Sequence, residues 1–120
     1  VLVRAALFLV ICDTPAARQV SGFGAPNYRF FCPYCRLRHR QRKNLDAKTW
    51  PPRTSEHHRD CAERWKQARS DNEREKIYAE SGVRYSALLE LPYWDPSRFT
   101  VIDIMHLLFE GNLKRYLRIW

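Results

Sequence analysis

The feature that most constrains this chain is an apolar run that ends at an aspartate. Residues Leu2–Cys12 are apolar apart from Arg4, carry β-branched Val3, Val10 and Ile11, and stop at Asp13-Thr14-Pro15. Length and composition predict a strand buried on both faces. Such strands belong to α/β sheets covered by helices. Asp13 then falls just past the strand's C-terminal end, the edge where ligands and catalytic groups gather in open α/β folds. Pro15 suits the first turn of a short helix through Gln19, with Asp13 or Thr14 as its N-cap.

Composition narrows the function classes. The 120 residues are 45% hydrophobic and 13% aromatic, which excludes a disordered tail. The longest uninterrupted apolar run, Ala5–Cys12, is far short of the roughly 20 residues of a spanning helix, so no membrane partner is expected. Four cysteines, two of them in a CxxC, do not make a disulfide scaffold. Lys and Arg number 21 against 13 Asp and Glu, a net charge of +8, which makes a polyanion, nucleic acid above all, the leading partner class. The opening stretch with Ala16-Ala17 looks like a secretory leader, but Asp13-Thr14-Pro15 interrupts the cleavage position and Arg4 alone precedes the run. The first residue is Val and Leu113–Trp120 reads as mid-helix, so the chain reads as a piece of something longer.

Further along, Ser21–Asn27 is a Gly- and Pro-containing loop, and Tyr28–Cys35 is aromatic and ends in Cys32-Pro33-Tyr34-Cys35. Ala62, Trp65, Ala68 and Ile77 predict one amphipathic helix from about Ser55 to Ala79, stopped by Ser81-Gly82. Val83–Leu91 predicts a second short helix, Pro92–Pro96 a rigid turn, and Phe99–Ile102 a short strand leading to Asp103. His106–Trp120 predicts a strong helix with Leu107, Leu108, Leu113, Leu117 and Trp120 on or near one face.

Two short-spaced pairs suggest a metal. Cys32 and Cys35 on a tight turn can chelate one Zn²⁺, with Zn–S of about 2.3 Å, and His58-x2-Cys61 would complete a tetrahedron. His57 can replace His58, and His39 or His106 can supply the fourth ligand instead. The rival readings are a redox CxxC, which usually opens a helix after a strand, and ordinary buried thiols. Cys12 reads as plain core.

Asp13 can hold a divalent cation, as acidic residues at strand ends do in ribonuclease H-like nucleotidyl-transfer enzymes that use two Mg²⁺. The plainer reading is a helix cap. Asp103 and His106, three apart on a first helical turn, can donate to a metal or orient a ligand from behind it; an N-cap followed by a half-buried His is the plainer reading. Arg36, Arg38, Arg40, Arg42 and Lys43, beside aromatic residues, suit phosphate contacts and base stacking.

Taken in order, these stretches resemble the CACTA (En/Spm-type) cut-and-paste DNA transposases, especially the lineages of mushroom-forming fungi. Asp13-Thr14-Pro15-Ala16-Ala17 with Ser21-Gly22-Phe23 looks like the family's D-x-P-A…S-G-[FW]. Phe31–Cys35 looks like its C-x-x-C. Gly82–Leu89 with Leu91–Pro96 looks like its G-V-R…L-L…L-P-Y-[FW]-D-P, and Val101–Gly111 looks like its V-[IV]-D-x-M-H-x-L-F-x-G. Each stretch is weak alone; the ordered set spans nearly the whole chain.

The resemblance implies a partial ribonuclease H-like α/β domain interrupted by a mostly helical insertion. Residues 1–27 would be a core strand with its helix and loop, 28–97 a zinc-binding, basic and helical insertion, and 98–120 the return to the core. Asp13 matches the second catalytic acid. Asp103 and His106 match a C/D-x-x-H sequence outside the catalytic triad, and His106 becomes a zinc ligand candidate beside Cys32 and Cys35. The first and last catalytic acids have no counterpart here, so the expected activity is that of an intact parent: Mg²⁺-dependent DNA cleavage and strand transfer in the nucleus, with self-association. The alternative is a zinc-stabilised nucleic-acid or protein interaction module without catalysis.

Overall fold

The computed structural model describes residues 1–119, and the chain is a mixed α/β protein. Strand β1 (Val10–Cys12) lies parallel to β2 (Thr100–Ile102), with Val10 opposite Thr100 and Cys12 opposite Ile102. Between them come helices α1 (Thr14–Val20), α2 (Ser55–Gln67), α3 (Asp71–Ser81) and the single turn α4 (Pro96–Phe99). Short 3₁₀ turns form at His39–Gln41, Ala47–Thr49 and Ala87–Glu90. A π-helical stretch, Met105–Leu113, follows β2 and continues into α5 (Lys114–Leu117).

The local chemistry that starts and stops these elements was visible in the sequence. Asp13 caps α1, its Oδ1 accepting the Ala16 N–H at 2.8 Å, and Pro15 sits in the first turn. Gly82 ends α3 in the left-handed conformation at φ 67°, its N–H donating to Tyr78 O. The expected single helix from Ser55 is instead two. Ala68 turns extended at ψ 134°, and Ser70 then caps α3 by accepting the Glu73 N–H. Ala68 preserves the apolar spacing across the break, so periodicity alone hides it.

Three further expectations are corrected. The Leu2–Cys12 strand shrinks to Val10–Cys12, with residues 1–9 exposed and Ile11 at 63% exposure. Its partner among the described residues, β2, is three residues long, bounded by α4 and by the helical turn after Asp103. The Val83–Leu91 helix is a single 3₁₀ turn. The helix expected from His106 is mainly π-helical, and Leu107, Leu108, Leu113 and Leu117 are exposed; Trp120 lies outside the described residues.

The buried centre joins elements far apart in sequence. Phe23 bridges Val83, Gly24 N–H donates to Gly82 O at 2.8 Å, and Arg84 N–H donates to Gly22 O at 2.9 Å. The Ser21–Gly24 and Gly82–Arg84 stretches thus form one two-stranded contact. Gly22 is required there: at φ 73°, a Cβ would stand 2.3 Å from Arg84 O. Helix α1 packs on both strands and α2 packs on α3 and α4. Trp94, Val83, Ala62 and Cys61 are buried among them.

Candidate functional site

The parallel register places Asp13 and Asp103 at one edge. Cys12 is opposite Ile102, and Asp103 N–H donates to Cys12 O at 2.8 Å, so the two aspartates follow directly from paired strand ends. Asp103 Oδ1 accepts the Met105 N–H at 2.8 Å, and Oδ2 is 2.8 Å from His106 Nδ1. The His106 hydrogen bond holds the Asp103 carboxyl below its ordinary range. Reciprocally, Asp103 raises His106, with Glu110 and Asp13 adding smaller contributions. Asp13 uses Oδ1 as a cap, while its Oδ2 makes no hydrogen bond among the described residues. A hard carboxylate oxygen at this edge suits Mg²⁺. Among the described residues, however, no three His, Cys, Asp or Glu side chains converge as a metal-binding group.

The second locus surrounds Cys32 and Cys35. Tyr34 N–H donates to Cys32 Sγ at 3.4 Å, and the Leu37 amide acts the same way on Cys35. Burial nevertheless raises the Cys35 thiol above its ordinary range, with the Leu37 amide opposing that shift. The chain leaves Cys35 in extended conformation rather than as a helix: Cys35 bridges Pro52, Arg36 N–H donates to Pro51 O, and Arg53 N–H donates to Tyr34 O. That removes the helix a redox CxxC opens. The antiparallel contact also delivers the chain straight into α2, capped by Thr54 at the His57 N–H. On α2, Cys61 Sγ is 3.7 Å from His57 Nε2 and 3.8 Å from Nδ1, one helical turn away.

The remaining histidines have other neighbours. His58 is buried edge-on against Phe23, with centroids 4.9 Å apart, and neither ring nitrogen is hydrogen-bonded among the described residues. Burial, and next the charge of Arg53, push its pKa down to about 3. His39 lies against Phe31 and Arg42. His106 stands with Asp103.

The basic run is extended around one 3₁₀ turn. Arg36, Arg40, Arg42 and Lys43 are exposed and Arg38 is half-buried. Arg29 and Arg36 stand 5.6 and 5.8 Å from the Phe30 centroid. Among the described residues, the ion pairs are Arg74–Asp71 and His106–Asp103, so no carboxylate neutralises this run.

Three arginines escaped the sequence reading. Arg59 of α2 donates to Leu89 O, Leu91 O and Trp94 O at 2.8, 2.8 and 2.6 Å, fastening the Pro92–Pro96 turn to α2. Arg18 of α1 donates to Gly24 O and to Phe31 O, tying the entry of the cysteine turn to the core. Arg53 is 5% exposed, and its Nε, Nη1 and Nη2 have no hydrogen-bond partner among the described residues. Its guanidinium lies 5.4 Å from the Phe23 centroid and within electrostatic reach of Cys32, Cys35 and Cys61. A buried, unpaired guanidinium costs several kcal/mol unless a negative charge faces it. No arginine's burial is announced by a chain this rich in exposed ones.

Comparison with protein-family models, curated proteins and solved structures finds no match to this chain. Among the described residues, no helix is long and apolar enough to cross a membrane.

Proposed function

We propose that the chain is a segment of a cut-and-paste DNA transposase of the CACTA (En/Spm) type, part of a ribonuclease H-like domain with a DNA-contacting insertion. The observation that carries the reading is the placement of Asp13 and Asp103 at the same end of a parallel strand pair, with a basic stretch free of carboxylate partners in the same chain. The order of the sequence motifs, and the pairing of Ser21–Gly24 with Gly82–Arg84, agree with a single inherited unit rather than a chance collection.

In the intact parent, working in the nucleus, Asp13 would offer Oδ2 to Mg²⁺, which when bound supplies charge for activating and releasing phosphate oxygens. Asp103 orients His106 and fixes the start of the helix after β2, holding the edge beside Asp13 in shape. Exposed Arg36, Arg40, Arg42 and Lys43, with Arg38, would bind DNA phosphates. Cys32 and Cys35 would hold a structural Zn²⁺ that fixes the insertion's first turn.

The capping bond of Asp13 favours a second reading, a nucleic-acid or protein interaction module without catalysis, in which that aspartate only starts α1. The two part on one experiment. A longer chain containing this segment, given duplex carrying transposon ends and Mg²⁺, should cleave and join strands, and Asp13→Asn, which keeps the cap, should abolish both reactions. Full activity in Asp13→Asn would remove the catalytic reading.

A further inference from the structure

We propose that Cys32, Cys35, His57 and Cys61 hold one zinc ion, and that Arg53 is the buried cation balancing its thiolates. The proposal builds on the reading of Cys32–Cys35 as a metal-binding turn; it does not depend on DNA chemistry. It excludes His58, the ligand that the sequence spacing puts first, and His106, one of its alternative fourth ligands.

Three observations converge. The Cys32–Cys35 turn has an amide serving each sulfur, a geometry that suits thiolate ligands once a metal displaces the thiol protons. The pairing of Cys35 with Pro52, and of Arg53 N–H with Tyr34 O, ties that turn to the segment leading straight into α2, on which Cys61 Sγ lies 3.7 Å from His57 Nε2. The Arg53 guanidinium is buried, has no hydrogen-bond partner among the described residues, and lies within electrostatic reach of Cys32, Cys35 and Cys61. Thiolate charge on those sulfurs would offset the cost of burying that guanidinium.

The charge sum closes. Zn²⁺ with three thiolates and a neutral imidazole carries −1, and Arg53 brings the buried unit to zero. Binding releases the thiol protons of Cys32, Cys35 and Cys61 to solvent and needs no oxidant or reductant. The two pairs stand apart as pairs, since no three ligand-type side chains converge among the described residues. Closure therefore requires rotation of the Cys61 and His57 side chains toward the turn.

His58 is unsuitable because its ring is packed edge-on to Phe23 in the core, beside Ser21. His106 is held by Asp103 at the end of β2.

The test is a Co²⁺ titration of the reduced full chain followed in the visible and near-ultraviolet, with zinc stoichiometry by native mass spectrometry. One ion per chain is expected, with thiolate-to-cobalt charge transfer and uptake of base matching three released protons. Cys32→Ser, Cys61→Ser and His57→Ala should each weaken binding by about 10-fold or more. His58→Ala and His106→Ala should keep one tightly bound ion. His57→Cys should restore binding and strengthen the charge-transfer band, which mere structural support would not do. Arg53→Gln should weaken binding while keeping the stoichiometry. Unchanged affinity in both Cys61→Ser and His57→Ala, loss of the ion in His106→Ala, or no ion bound by a chain with native far-ultraviolet dichroism would overturn the proposal. Duplex binding is measured on the same samples: metal bound by this set without DNA affinity sinks the transposase reading and leaves the zinc site standing.

Discussion

Replacing Arg59 by Met tests whether the turn before β2 is held by charge-assisted hydrogen bonds. The guanidinium makes three short bonds to main-chain carbonyls 30 to 35 residues away. Leu89 and Leu91 are half-buried, so water replaces part of what is lost there, whereas Trp94 is 1% exposed. Counting one bond at the full value for a charged donor and two at a neutral, partly rehydrated value gives a loss of about 3 kcal/mol. A chain of this length is expected to have about 6–18 kcal/mol in all, so the effect is a sizeable share. Urea unfolding followed by tryptophan fluorescence should show the midpoint fall in Arg59→Met. Arg59→Lys should fall by about 2 kcal/mol, because a single ammonium cannot serve three carbonyls in the fork geometry. Amide exchange in Thr100–Ile102 should quicken in step, since the clamped turn feeds directly into that strand. A loss under about 0.5 kcal/mol for Arg59→Met would refute the clamp, as that is the range of an ordinary surface change.

Other expectations follow from the same geometry. Gly82→Ala should cost about 2 kcal/mol or more, because the left-handed φ of 67° is strained for alanine and a Cβ would meet Phe30 O at 2.8 Å; thermal unfolding reads it. Asp13→Ala should lower stability by about 1 kcal/mol through loss of the α1 cap while Asp13→Asn leaves it within a few tenths, a comparison that isolates the cap from any metal role. For the Asp103–His106 pair, His106 is raised above 6.5, so its contribution is complete below that pH and disappears as pH climbs through the folded value; Asp103 is lowered below 3.8, so its share is lost only as pH falls through its own folded value. An NMR titration should find His106 above 6.5 in the native chain and near 6.5 in Asp103→Asn.

What the sequence disclosed was local. The Asp13 cap, Pro15 in the first turn, the Gly82 stop and the Phe99–Ile102 strand all rest on chemistry confined to a few residues, and each is in place, the strand beginning one residue later at Thr100. What it concealed depended on partners far along the chain. The length of β1 is set by how much of β2 is available, some 90 residues later. The break at Ala68 keeps apolar spacing and so leaves no trace in periodicity. Arg53 and Arg59 sit among other arginines in a basic chain, and only folding distinguishes a guanidinium that faces three cysteines or three carbonyls from one that faces water. The candidate site shows the same division: the cysteine spacing was legible, but His57 and His58 are neighbours in sequence and only the helix decides which one meets Cys61.

The most direct test of the functional account is the affinity of the purified chain for duplex DNA as a function of salt, read by fluorescence anisotropy. If Arg36, Arg38, Arg40, Arg42 and Lys43 contact phosphates, log K should fall against log[salt] with a slope of about −4.5, from about −0.9 per contact on B-DNA. Changing all five to Gln should flatten the slope and remove most of the binding. Absence of binding at low salt, or a slope unchanged by those five substitutions, would contradict the account.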